Sequence, residues 1–330
     1  MDCDSAAAFV LRYLTTVLVL LASALQAQSS GPNQSALQGQ PHLFGPGVIS
    51  TSDFEFNASF TPDGKTVYFS KSDPGFNRIT IVLSHRKGND WTKPEVAPFS
   101  GIWKDTDPRV SPDGKKLFFT SNRPVDGSNT PKGDYDIWYV DRIPAKGWSE
   151  PKHLGAPVNS DGNEWYASVT REGTLYFGAE RADHPGTHIY RSRLVDGEYR
   201  PPELLPFSNQ GNDLDPSIAA DDSFVIFISR DRSGMGAGDL YVSFHRPDGT
   251  WSTPKNLGSP INSSFHEIAT GLSPDNRILY FASNRIDGPL TRAARVNYRQ
   301  LEHGLYAIQN GLLNIYEVDI SDLDRLDDAR

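Results

Sequence analysis

Five acids occupy matching places in the chain. Glu55, Asp105, Glu164, Asp213 and Glu267 each stand nine residues before a turn position, at Gly64, Gly114, Gly173, Asp222 and Asn276. Carboxylates brought together in pairs can cleave a glycosidic bond, one protonating the leaving oxygen while the other acts as base or nucleophile. That chemistry needs a separation of about 5 to 9.5 Å and surroundings that drive the two pKa values apart. A ring of such acids around the mouth of a channel would supply the pairs, and Asp107 and Asp215, two residues further on, enlarge the choice. The competing reading is architectural. Arg123, Arg181 and Arg285 follow at equivalent places, with Arg230 or Arg232 near the fourth, so each acid can pair with a base of its own repeat. Repetition favours structure, because a catalytic site needs residues in unlike roles.

The elements that must position these acids recur with them. The runs "EFNASFTPDGKTVYFSKS", "DTDPRVSPDGKKLFFTSNR", "EWYASVTREGTLYFGAER", "DLDPSIAADDSFVIFISRDR" and "EIATGLSPDNRILYFASNR" share one pattern. Their turns lie 50, 59, 49 and 54 residues apart, near the roughly 40 to 50 residues of a propeller blade. In each, a first strand follows the acid and a second follows the turn; the runs Ala167 to Thr170 and Leu117 to Thr120 are examples. A third strand reads "ITIVLSH", "YDIWYVD", "THIYRSR", "GDLYVSF" or "LNIYEVD", and a fourth carries an aromatic and a proline, as in "WTKPEVAPF" and "WSTPKNLGSPINS". The fifth repeat lacks that fourth strand, while an orphan "QPHLFGPGVIS" of the same kind precedes the first. The predicted fold is therefore all-β: a five-bladed propeller of four-stranded antiparallel blades, closed by an N-terminal strand that removes the open sheet edges. With 28 Gly and 24 Pro in 330 residues, many short strands suit the chain better than helices.

The "SPDGKKLFFTSNR" and "SPDNRILYFASNR" runs, with "DIWYV" and "NIYEV" as third strands, resemble the Pro-Asp-Gly type of WD-like β-propeller repeat found in TolB-like periplasmic proteins. The resemblance covers about residues 40 to 322. It implies partner binding in the bacterial envelope, yet five repeats stand here where TolB has six, and there is no room for its N-terminal α/β domain. Five-bladed propellers also carry several glycoside hydrolase families.

Residues 1–27 read as a signal peptide, with Arg12, an apolar run to Leu21 and small residues at Ala22, Ala24 and Ala27. The acidic Asp2 and Asp4 make an uncleaved anchor the alternative, although the run is short for a membrane span. Residues 28–40 read as a polar, flexible leader, and 41–330 as one propeller domain. Cys3, the only cysteine, falls in the signal segment, so the mature chain forms no disulfide. The implied location is periplasmic or secreted, with no transmembrane span in the mature chain. A net charge of −9 argues against nucleic acid as partner, since phosphate binding needs a basic footprint.

Four residues break the repeat and are expected to line a mouth that holds a ligand: Arg109, where other repeats show Ser59, Ser168, Ser217 and Gly271, together with Trp103, Trp165 and His266. No metal site or cofactor is expected; His184 and His188 of "HPGTH" stand in a loop without nearby acids, and the glycine-rich "DRSGMGAGD" lacks a phosphate-loop lysine. The stretch from Leu290 to Gln309 is expected to form a short amphipathic helix beside the rim. The functional expectation is a propeller that binds an envelope protein or a small polar or carbohydrate ligand at its channel mouth, with no reaction assigned. The alternative is a glycosidase using the acid ring.

Overall fold

Alternation within a single strand dictates how the molecule is layered. In Lys116–Ser121, Leu117 and Phe119 point to one face and Phe118 to the other. Leu117 and Phe119 are buried with Tyr68, Ile81 and Leu83 of the preceding repeat, and Phe118 with Ala167, Leu175 and Phe177 of the next. Each sheet is thus apolar on both faces and must be sandwiched. Such cores fill the interfaces of blades 1 and 2, 2 and 3, 3 and 4, 4 and 5, and 5 and 1.

The computed structural model describes residues 37, 39–208, 212–289 and 294–328. The expected signal peptide and most of the expected leader lie outside the described residues. The inner strands are Phe54–Phe60, Asp105–Val110, Glu164–Val169, Asp213–Ile218 and Glu267–Leu272. Each pairs antiparallel with the strand after its turn, which pairs with a third and then a two-residue fourth. In blades 1 and 2, Asp90–Trp91 and Gly147–Trp148 add a short strand to the third. "HPGTH" lies inside the third strand of blade 3, His184–Ser192, rather than in a loop.

Closure is built from the N-terminal segment. His42–Leu43 pairs with Asn314–Asp319, Leu43 facing Tyr316, and supplies the fourth strand that the fifth repeat lacks. A second repeat confirms the place of this segment. Ser50, Ser100, Asn159, Ser208 and Asn262, at the same 50, 59, 49 and 54 spacing, each accept a backbone N–H from the third strand of a blade: Ile315, Ile81, Ile137, Ile189 and Leu240, at 2.8–3.1 Å. Ser50 does for blade 5 what the others do for blades 1 to 4. Even Leu37, expected in the leader, is buried in the core between blades 4 and 5.

Among its described residues the insertion in blade 5 contains one helix, Tyr298–Leu305, shorter than its composition predicts. Asn297 starts it: the Asn297 side chain accepts from the Gln300 N–H and the Gln300 side chain accepts from the Asn297 N–H, a reciprocal cap. Residues 290–293 of the expected helix lie outside the described residues. No helix among the described residues is long and apolar enough to cross a membrane.

Candidate functional site

The five repeated acids do not line the mouth of the channel. Their side chains are fully buried at the corner where each inner strand begins. There Lys71 lies 3.2 Å from Glu55, Arg123 2.6 Å from Asp105, Arg181 3.4 Å from Glu164, Arg232 2.8 Å from Asp213 and Arg285 3.2 Å from Glu267. The four guanidinium groups lie over ring pairs: Phe119 and Trp138, Phe177 and Tyr190, Phe227 and Tyr241, Phe281 and Tyr316. They also donate to carbonyls at the exit of the preceding blade, at Phe99, Val158, Phe207 and Pro260. Each acid and base thus latch one blade to its neighbour. Burial pushes the Asp105 carboxyl up in spite of its arginine, and pushes Glu164 up to about 7. Arg123→Lys keeps the charge but loses the planar stacking, and is expected to cost about 1–2 kcal/mol. Urea unfolding of the variant checks this.

The residues that turn toward the channel instead are those two places after each acid. Asn57, Asp107, Tyr166, Asp215 and Ala269 all take the left-handed backbone conformation, with φ of 64°, 54°, 56°, 50° and 57°. Each sits where the pairing of inner and second strands shifts register. Such a bulge re-aims a side chain at the end of a sheet. Asn and Asp tolerate this backbone; Tyr166 and Ala269 adopt it at a cost of order 1–3 kcal/mol that the surrounding ladder must offset.

Four of these five side chains, those other than Tyr166, line a cavity of about 400 Å³ at the mouth. Its walls include the aromatics Phe56, Phe76, Tyr135 and Trp165, and the charged Glu180 and Arg230. At its base are two carboxylates from non-adjacent blades. Asp107 accepts from the Thr106 hydroxyl at 3.0 Å and from the Asn57 amide. Asp215 accepts from the Ala269 N–H at 3.1 Å. Burial, and after it the nearby charge of Asp107, push Asp215 up to about 7; Arg230 and Arg109 act weakly against this. Burial also raises Asp107, but the hydroxyl and amide donors around it favour its ionised form. Asp215 is thus placed to hold a proton up to about pH 7, while Asp107 carries the larger set of donors that favour a carboxylate. These are the unlike surroundings that an acid and a base require.

The residues expected to line the mouth are placed differently from one another. Trp165 does line the cavity. Arg109 lies deeper and crosses the channel: its Nη2 donates to Tyr166 Oη at 3.1 Å, Ser217 Oγ at 3.0 Å and the Thr270 carbonyl at 2.9 Å. Small residues at the equivalent positions make room for it. At Gly271 it is the neighbouring backbone that excludes a side chain, since a Cβ would stand 2.4 Å from the Ala58 carbonyl and 3.7 Å from Arg109 Nη1. Arg109 faces a separate, small cavity at the other end, with Ser59, Ser168 and Pro274. Trp103 is half-buried on the loop before Asp105 and is not part of the mouth cavity. His266 is also outside it, bridged to Gly238, with burial holding its imidazole below the usual range.

No protein-family model matches the chain, and no curated protein matches its sequence. Among solved structures, an α-L-arabinofuranosidase from Lactobacillus brevis is 12% identical over 82% of this chain and 91% of its own, with a TM-score of 0.48. A puromycin-hydrolyzing peptidase of Mycobacterium tuberculosis is 11% identical over 79% of this chain and 42% of its own, with a TM-score of 0.41. A Hadza microbial sialidase is 15% identical over 69% and 53%, with a TM-score of 0.44. Likenesses at this level say nothing of this chain's own chemistry, which rests on its residues.

Proposed function

We propose that the mouth cavity binds the end of a saccharide and cleaves its glycosidic bond. The observation that carries this reading is the convergence of Asp107 and Asp215, from blades 2 and 4, on one cavity in unlike surroundings: hydroxyl and amide donors hold Asp107, and a backbone N–H reaches Asp215. In the reaction Asp215 gives its proton to the leaving glycosidic oxygen as the C–O bond breaks. Asp107 accepts a proton from the water that attacks the sugar carbon, or first attacks that carbon itself; the separation of the carboxyls decides which. Trp165 and Phe76 offer apolar faces on which a sugar ring can stack. We also read the chain as a periplasmic or secreted protein with TolB-like repeats, on the motifs given above.

A second reading is capture of a small polar ligand without reaction. The donors from Asn57 and Thr106, which already occupy Asp107, favour it. Incubation with a panel of 4-nitrophenyl glycosides and oligosaccharides near pH 6 separates the two. Hydrolysis is expected from the parent protein, falling at least about a hundredfold in Asp107→Asn. Saturable binding with no turnover would leave capture as the function. Absence of both would defeat the saccharide reading.

A further inference from the structure

A rim position recurs one residue beyond the strand partner of each buried acid, and its occupants are Ser72, Asn122, Glu180, Arg230 and Asn284. In three blades this side chain serves its own corner, bonding the residue just before the acid. Asn122 Oδ1 accepts from the Lys104 N–H at 3.0 Å, Asn284 Oδ1 from the His266 N–H at 2.9 Å, and Glu180 Oε2 from Asn163 Nδ2 at 2.7 Å.

Blade 4 divides this work differently. Asp231 accepts from both the backbone N–H and the side-chain amide of Asn212, at 3.1 and 2.8 Å. Arg232 takes the ion pair with Asp213. Both local tasks are filled, so Arg230 has none. Among the described residues its guanidinium makes no ion pair and no side-chain hydrogen bond, and it lines the mouth cavity with Tyr135, Thr187 and the two aspartates. Asp107 and Asp215 line the same cavity, but neither lies within ion-pair distance of the Arg230 guanidinium, and Glu180 is engaged by Asn163. An unpaired guanidinium on the wall of the cavity, beside its rings and the carboxylates Asp107, Asp215 and Glu180, is a group that can grip an anion.

We propose that Arg230 selects an acidic sugar, its guanidinium gripping the carboxylate of a uronic acid residue seated in the mouth. This inference rests on the saccharide reading of the cavity and adds the class of sugar. A planar, doubly donating group matches a carboxylate better than it matches a neutral hydroxymethyl.

The test is a ratio. Binding of the methyl glycosides of glucuronic acid and glucose, and of galacturonic acid and galactose, the uronic carboxylates left free, is measured by calorimetry on the full chain and on Arg230→Gln. The parent is expected to favour the uronate of at least one pair by about tenfold to a hundredfold, the range of one charge-assisted contact. In Arg230→Gln that ratio should fall to near one, and in Arg230→Lys to an intermediate value. Neutral sugars bound as well as uronates, or a preference that survives in Arg230→Gln, would overturn the assignment of Arg230 while leaving the cavity a saccharide site. Binding of neither member of any pair would overturn both.

Discussion

Asp215→Asn is expected to lose at least about a hundredfold in glycoside hydrolysis and yet to be more stable than the parent at pH 8. The gain in stability follows from where the proton sits. In the native protein Asp215 holds its proton up to about pH 7, whereas in the unfolded chain a carboxyl releases it near pH 4. Between these values the native state binds more protons than the unfolded state, so stability falls as pH rises. Above pH 7 the whole cost of burying the charge is present, and asparagine removes it. The expected difference in stability is close to zero below about pH 4 and grows to a few kcal/mol at pH 8, since each pKa unit is worth about 1.4 kcal/mol. Melting curves across this range check the sign. Glu164, also raised to about 7, provides a control: Glu164→Gln should share the direction of the pH effect and keep hydrolysis, because its carboxyl sits in a blade latch and not in the cavity.

Phe44→Ala is expected to cost about 3–5 kcal/mol, the range for a large aromatic removed from a packed core. The residue belongs to the N-terminal segment and is only 5% exposed. Its ring meets Phe60 and Trp91 of blade 1 edge-on, each at 5.6 Å, and Tyr280 of blade 5 at 5.0 Å. It therefore plugs the seam where the ring closes. Because the adjoining strand is only two residues long, side-chain packing must carry most of the closure. Urea unfolding measures the cost; a loss under about 1 kcal/mol would show that the seam contributes little and that the ring is held elsewhere.

The blades were legible because their signals are local and repeated. A turn every 49 to 59 residues, alternating apolar strands and a missing fourth strand were enough to place the closing segment. The mouth was not legible in the same way, and the reason is parity. In an ideal strand residues two apart share a face, so Asp105 and Asp107 read as neighbours on one ring. The bulge breaks that rule: pairing runs from Thr106 opposite Thr120 directly to Arg109 opposite Phe118, so Asp105 turns into the blade corner while Asp107 turns into the cavity. A signal was nonetheless present. Asn57, Asp107, Tyr166, Asp215 and Ala269 span four residue types, where the position two places earlier is a carboxylate in every blade. Unlike residues at a repeated position mark the place where the repeat serves something other than itself. The same criterion separates Arg230 from Ser72, Asn122 and Asn284. It also singled out Arg109, yet that side chain is absorbed within the channel, bonded to Tyr166, Ser217 and Thr270. Variation alone does not say which end of the channel a residue faces.

The most direct measurement is a crystal structure of Asp215→Asn, which should bind a saccharide without cleaving it, in complex with an oligosaccharide that the parent hydrolyses. The terminal sugar is expected in the mouth cavity, against Trp165, with its glycosidic oxygen facing residue 215 and its reacting carbon facing Asp107. A sugar seated instead in the groove between blades 2 and 3, beside Lys116, Tyr139 and Tyr199, with the mouth left empty, would contradict the assignment of the two aspartates.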